Sequence, residues 1–153
     1  MSYIIEIKEL EAVRVASTHY QGKISEASKY FPSLFKSIMG KACGAPFCCI
    51  SAVDDAEKTG HVELCVPTEE NPETPGIIIK EISRIKALCT THIGSYETLK
   101  VAYEALQKHI MSKSLGVYEP CRETYIKGPG MFIKGNPQKY ITEIAIPLQQ
   151  GGD

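Results

Sequence analysis

No apolar run in this sequence approaches the roughly 18 residues that a membrane-spanning helix requires, so no helical span is expected. The amino terminus, MSYIIEIKEL, lacks a basic stretch followed by an apolar core and a small-residue cleavage site. No signal peptide is therefore expected, and the cytoplasm is the default compartment. Excess positive charge is missing too. Seventeen Lys and Arg stand against 18 Asp and Glu, a formal net charge of -1, which argues against a direct nucleic-acid surface. No block of like charge is long enough to serve as an interaction tail. The six cysteines (Cys43, Cys48, Cys49, Cys65, Cys89 and Cys121) include no C-x-x-C pair, and no histidine stands at zinc-finger spacing from them. Neither a metal nor a cofactor is expected, and disulfides are not expected in a chain without a signal peptide. Most of the thiols lie among apolar neighbours, as in PFCCISAV and VELCVP, where cysteine acts as a small hydrophobe.

What is present is an ordinary globular composition, 43% hydrophobic and 23% charged over 153 residues, enough for one domain with a real core. Within it a unit is written twice. STHYQGKISEASKYFPSLFKSIM parallels TTHIGSYETLKVAYEALQKHIM. His19 matches His92; after one gap, a constant offset pairs Ile24 with Tyr96, Ala27 with Leu99 and Phe31 with Tyr103. The same offset pairs Leu34 with Leu106, Ile38 with Ile110 and Met39 with Met111. Spacings of three, four and seven make this one apolar helical stripe, repeated. Downstream, Pro46 matches Pro120, and Glu63 in VELCVP matches Glu143 in TEIAIP, each glutamate followed four residues later by a proline.

Each copy therefore reads strand, helix, strand, strand, an α+β domain spanning 1–153 with copy one at about 1–68 and copy two at about 77–149. The second helix is expected to start near Ser95 and to stop near Ser114, before Gly116. Pro32 must kink the first helix or divide it. The polar, Pro-rich stretch from Pro67 to Gly76 is a linker loop. Lys127 to Lys139 forms a second loop with Met131, Phe132 and Ile133 in its middle, which can be core plugs or a lid over a pocket.

Strand alternation then assigns faces. Val62, Leu64 and Val66 in one copy, and Thr142, Ile144 and Ile146 in the other, form the set that packs on the helices, so Glu63 and Glu143 point away from them. Cys121, Glu123 and Tyr125 share a face, with Phe47, Cys49 and Ser51 as their counterparts. Two such sheets related by a pseudo-twofold would enclose a concave surface carrying aromatic and acidic groups, the kind of place where small molecules bind. Glu63 reads as a solvated carboxylate. Glu143 stands between Ile141 and Ala145, and a carboxylate in such surroundings needs a partner. It is the leading functional candidate, with a raised pKa expected. Cys49, on the concave face, reads as packing or as a nucleophile, and Cys48 as core.

The ordered motifs HIGSYETLKVAYEALQKHI, EPCRETYIK and TEIAIPL resemble the GyrI-like domain, which also serves as the effector-binding module of multidrug-sensing transcription activators. The motif matches are Gly94-Ser95-Tyr96, Glu123-Thr124-Tyr125 and Thr142-Glu143-Ile144. The resemblance implies a duplicated β-α-β-β fold, an antiparallel sheet backed by two helices. It also implies a ligand groove between the copies with Glu143 at its floor, and lipophilic, often cationic, aromatic ligands. Ligand contacts are expected from Glu143, Tyr125, Tyr96, Phe47, Cys49 and Phe132. Family members often carry a tryptophan before the last strand; here Tyr140 or Phe132 would take that place. With both copies filling these residues, no helix-turn-helix is expected among them, and sequestration or sensing of drug-like molecules is the leading expectation for function. Two alternatives come with the resemblance. One is hydrolysis of cyclopropane rings in DNA-alkylating natural products, Glu143 serving as general base and Tyr125 as hydrogen-bond donor. The other is a protein partner, DNA gyrase.

Overall fold

In the structure, a computed structural model, residues 2–129 and 135–149 are described. The chain divides into two compact units. The central unit is Glu11–Arg84; the terminal unit joins Met1–Leu10 to Ile85–Asp153.

The central unit begins with β2 (Val13–Lys23), β1 (Glu6–Leu10) being part of the other unit. A 3-10 helix, Ile24–Lys29, and a short helix α1, Phe31–Ser37, follow. Pro32 divides the expected helix in two and sits in the first turn of α1, where its missing N–H costs nothing. Then come β3 (Phe47–Asp54), β4 (Thr59–Pro67) and, beyond the polar linker, β5 (Ile78–Ile82). The strand order is β3-β4-β2-β5, antiparallel throughout. Helix α1 packs on β2 and β4, and Leu34, Ile38, Val62, Leu64 and Cys48 are fully buried.

The terminal unit contains β1, β6 (Ile85–Ile93), a 3-10 turn at Tyr96–Thr98, α2 (Leu99–Lys113), β7 (Cys121–Lys127), a second 3-10 turn at Pro137–Lys139 and β8 (Ile141–Pro147). Its order is β1-β6-β8-β7, again antiparallel. Each unit holds a strand-helix-strand-strand set plus one further strand at its edge, and that strand comes from the stretch assigned to the other copy: β1, within 1–68, pairs with β6, and β5, within 77–149, pairs with β2. The periodicity of α2 is realised: Leu99, Ala102, Leu106 and Ile110 pack with Leu88, Ile144 and Ile146 in one core cluster. The helix stops where expected, at Ser114, which takes a left-handed conformation (φ 52°) as its C-cap. Its start differs. Ser95 caps the 3-10 turn instead, without a side-chain hydrogen bond, and α2 proper opens at Leu99. The apolar stripe is also shorter than the repeat suggested. Met39 and Met111 are 68% and 77% exposed: Met39 lies beyond the end of α1 in a left-handed conformation (φ 56°), and Met111 follows the buried Ile110 by one residue, which turns it about 100° away from the core face.

Gly94, in the motif between β6 and α2, has φ +145°, and a Cβ there would press on His92 and Thr98. These two are hydrogen-bonded to each other at 2.8 Å, so glycine is the residue that lets β6 turn directly into the helix. No helix among the described residues is long and apolar enough to cross a membrane. Leu106 is fully buried at the centre of the α2 interface. Leu106→Ala should lower unfolding free energy by about 2–5 kcal/mol, read as a lower urea midpoint with the m-value unchanged.

Candidate ligand-binding site

The register of β8 decides which side chains share a face. Glu143 stands opposite Thr91 on β6 and Thr124 on β7. Residues directly opposed in an antiparallel pair lie on the same side of the sheet. Glu143 therefore shares its face with Thr91, Thr124, Cys89, Ala145 and, from β1, Lys8. The other face carries Thr142, Ile144 and Ile146 and is covered by α2. Glu143 points away from the helix, as its alternation implies.

Its carboxylate is not left in apolar surroundings. Lys8 Nζ donates to Glu143 Oε2 at 2.8 Å, and the two side chains are 39% and 14% exposed. The hydrogen bond to Glu143 raises the Lys8 pKa, holding the amine charged. A hollow of about 500 Å3 opens over this pair, walled by Tyr3, Ile4, Cys89, Thr91 and Ile93. That volume is in the range of small-molecule sites. Tyr3 is fixed from behind by a 2.9 Å hydrogen bond between its hydroxyl and His92 Nδ1. Neither Lys8 nor Tyr3 was singled out in the sequence. The alternation of IEIKEL marks Glu6 and Lys8 as one face of a strand, but nothing local says which sheet that strand joins.

Tyr125 is not where the sequence reading put it. It pairs with Thr142, not Glu143, and its hydroxyl donates to Glu123 Oε1 at 2.9 Å. It therefore lies on the side of the sheet opposite Glu143, and the expected Glu143–Tyr125 pairing is corrected: an offset of one residue along β8 exchanges faces. Tyr125 instead belongs to a partly buried cluster around Glu123. Tyr103 of α2 donates to Glu123 Oε2. The Tyr96 ring meets Tyr125 edge-on at 5.7 Å and Tyr140 at 5.1 Å. Glu123 is 7% exposed. Burial raises its carboxyl above the ordinary value, and the two tyrosine hydrogen bonds only partly oppose this. Phe132 lies outside the described residues, as do Met131 and Ile133.

In the central unit, Phe47 and Cys49 lie on the face of Glu63, packed with Val15 and Cys65 and only 3% and 6% exposed. Cys48 points to the opposite, fully buried side, as expected. Glu63 is not simply solvated. Its Oε2 accepts from Ser17 Oγ at 2.7 Å and from Lys80 Nζ at 2.9 Å. Burial alone would raise this carboxyl; the two donors outweigh it and hold the group below its usual range.

Comparison with known proteins settles the family. The profile of the GyrI-like small molecule binding domain matches residues 4–149. The chain belongs to the GyrI-like family. Among solved structures, this GyrI-like chain is similar to the EcmrR C-terminal domain, with TM-score 0.79 and 25% identity over 99% of this chain and 100% of that one. It also matches EcmrR in a complex with DNA (TM-score 0.80, 24% identity, 97% of this chain), where it spans only 58% of the EcmrR length. SAV2435 bound to tetraphenylphosphonium shares the fold at TM-score 0.63 and 13% identity, covering 97% of this chain and 94% of that one. A search of curated proteins returned no match.

The buried Glu123 sets a pH dependence. A carboxyl whose folded pKa lies above its unfolded one contributes stability that is full below the unfolded value and is lost as pH rises through the folded value. The stability of Glu123→Gln relative to the parent protein should therefore improve as pH rises from about 4 toward neutrality, measured by urea denaturation across that range. A difference that stays flat with pH would contradict the buried, raised carboxyl.

Proposed function

We propose that this GyrI-like chain binds lipophilic aromatic small molecules, cations among them, in the hollow over Glu143, and so sequesters or senses them. The observation that carries the reading is the hollow itself: largely apolar walls with two carboxylates, Glu6 and Glu143, that share one lysine, Lys8. The Lys8 side chain is 39% exposed and its ammonium also lies 3.6 Å from Glu6, so it can swing toward water and still keep a carboxylate partner. A ligand cation that takes over the Glu143 carboxylate thus gives up little by ejecting Lys8 into water. Leaving Glu143 covered by an apolar ligand with no counter-charge would cost more. Tetraphenylphosphonium, the compound bound to SAV2435, is a lipophilic aromatic cation, and that relationship supports the same ligand class here.

The hydrolytic alternative needs a tyrosine hydroxyl beside Glu143 to hold developing negative charge. Tyr125 is committed to Glu123 on the other face, and the hydroxyl-bearing residues opposite Glu143 are Thr91 and Thr124. Binding without turnover is the reading that fits this arrangement.

Rhodamine 6G, a fluorescent aromatic cation, separates the terms when titrated by anisotropy. Glu143→Gln should weaken binding tenfold or more, about 1.4 kcal/mol. Lys8→Met, which removes the internal competitor but keeps its apolar stem, should strengthen it. Equal affinity in all three proteins would place the dye outside this hollow and overturn the proposal.

A further inference from the structure

On the same side of the central sheet as Glu63, two thiols converge on its carboxylate. Glu63 and Cys65 are two residues apart on β4, and Cys49 of β3 stands directly opposite Glu63. One donor atom from each, two sulfurs and one carboxylate oxygen, lie within 4.8 Å of one another. We propose that Cys49, Cys65 and Glu63 form a binding site for a thiophilic divalent cation of the zinc group, zinc or cadmium.

Three features beyond proximity support this. The first is the donor set. Two thiolates and one carboxylate with a fourth position left to water or a ligand is a three-donor arrangement suited to zinc. Bond lengths of about 2.0–2.3 Å would draw the donor atoms to roughly 3.3–3.8 Å apart, a modest contraction from their present spread. The second is the support behind the carboxylate. Ser17 and Lys80 both donate to Oε2, which orients the group and leaves Oε1 to the cation. Carboxylate ligands in metal sites are held in this way by hydrogen bonds from outside the first ring of donors. The third is charge. Two thiolates and a carboxylate carry three negative charges, and a divalent cation with the Lys80 ammonium returns the cluster to neutrality. A neutral total is what a mostly buried group of ions requires. Binding would release both thiol protons to solvent.

The terminal unit is an internal comparison. There Glu143 has Thr124 opposite it and Ala145 two residues on, so the same strand positions carry a carboxylate and no sulfur. The thiol on that face of the terminal unit, Cys89 of β6, stands across from Ala145, at a different position from Cys49 and Cys65. No zinc motif appears in the sequence because the donors come from two strands and from residues separated by 13 intervening positions, 50 to 62. His19, across β2 from Glu63, has its ring against His61 at 5.1 Å and stands outside the donor set.

The experiment is a titration of the reduced protein with Cd2+, following thiolate-to-metal charge-transfer absorption in the ultraviolet. The expected result is saturation at one equivalent with two protons released per ion. The band should be lost in Cys49→Ser and in Cys65→Ser and kept in Cys89→Ser. Ser17→Ala, which removes a hydrogen-bond donor to the Glu63 carboxylate but supplies no ligand atom itself, should weaken affinity about 10- to 100-fold as an outer-ring change. Absence of the band in the parent protein, with its thiols confirmed as reduced, would overturn the proposal. So would a band that persists in a folded Cys49→Ser, Cys65→Ser double variant. Because the parent protein alone can fail the test, poor folding of a variant does not protect the claim.

Discussion

A carboxylate on an inner strand, flanked by apolar residues, has to be given a counter-charge or a set of donors, since covering it bare would cost several times what a single contact returns. Both units of this chain meet that requirement with a lysine from the strand at the edge of the unit's sheet. Lys8 of β1 reaches Glu143 at 2.8 Å, and Lys80 of β5 reaches Glu63 at 2.9 Å. In each unit it is the fourth strand, beyond the repeated pattern, that supplies this lysine. The two contacts also set the terms on which any ligand meets the sheet: a cation competes with a lysine that is already there, and a neutral ligand meets a pair that is already balanced. Ser17 adds a second donor to Glu63. Among the described residues the hydrogen bonds give Glu143 no such second donor, so its pair is the simpler of the two to exchange.

The two faces of the terminal sheet divide labour by the same physics. Under α2, where Glu123 is only 7% exposed, this carboxyl is held by two tyrosine hydroxyls and pushed toward its neutral form by burial. On the other face the carboxylate keeps its charge partner and opens onto a hollow. A single strand, β7, feeds both: Glu123 and Tyr125 look to the helix, Arg122 and Thr124 to the other side.

Much of this was legible in the residues. The stripe from Leu99 to Ile110 and the alternation TEIAIP gave the helix, the strand and the direction of Glu143, because burial on one side imposes a period that the sequence must carry. Pro32 announced the break in the first helix. Register was not legible. Tyr125 shares a motif with the acidic residue before it, but only the pairing with Thr142 shows that it faces α2, and sequence spacing carries no information about which residues of two strands stand opposite. The partnerships of Lys8 with Glu143 and of Cys49 with Cys65 were hidden for the same reason: they join positions 135 and 16 residues apart, and nothing local at either end marks the other. The ends of the apolar stripe failed too: Met39 falls beyond the end of α1, and Met111 sits one residue off the stripe that Ile110 closes.

The central claim is that ligands enter the hollow over Glu143. Methyl and lysine side-chain NMR spectra recorded while tetraphenylphosphonium is added test it most directly. Shifts concentrated at Ile4, Thr91 and Ile93, together with a displaced Lys8 ammonium signal, are the predicted result. Saturable shifts that leave those residues and Lys8 unmoved, and cluster elsewhere in the chain, would contradict it.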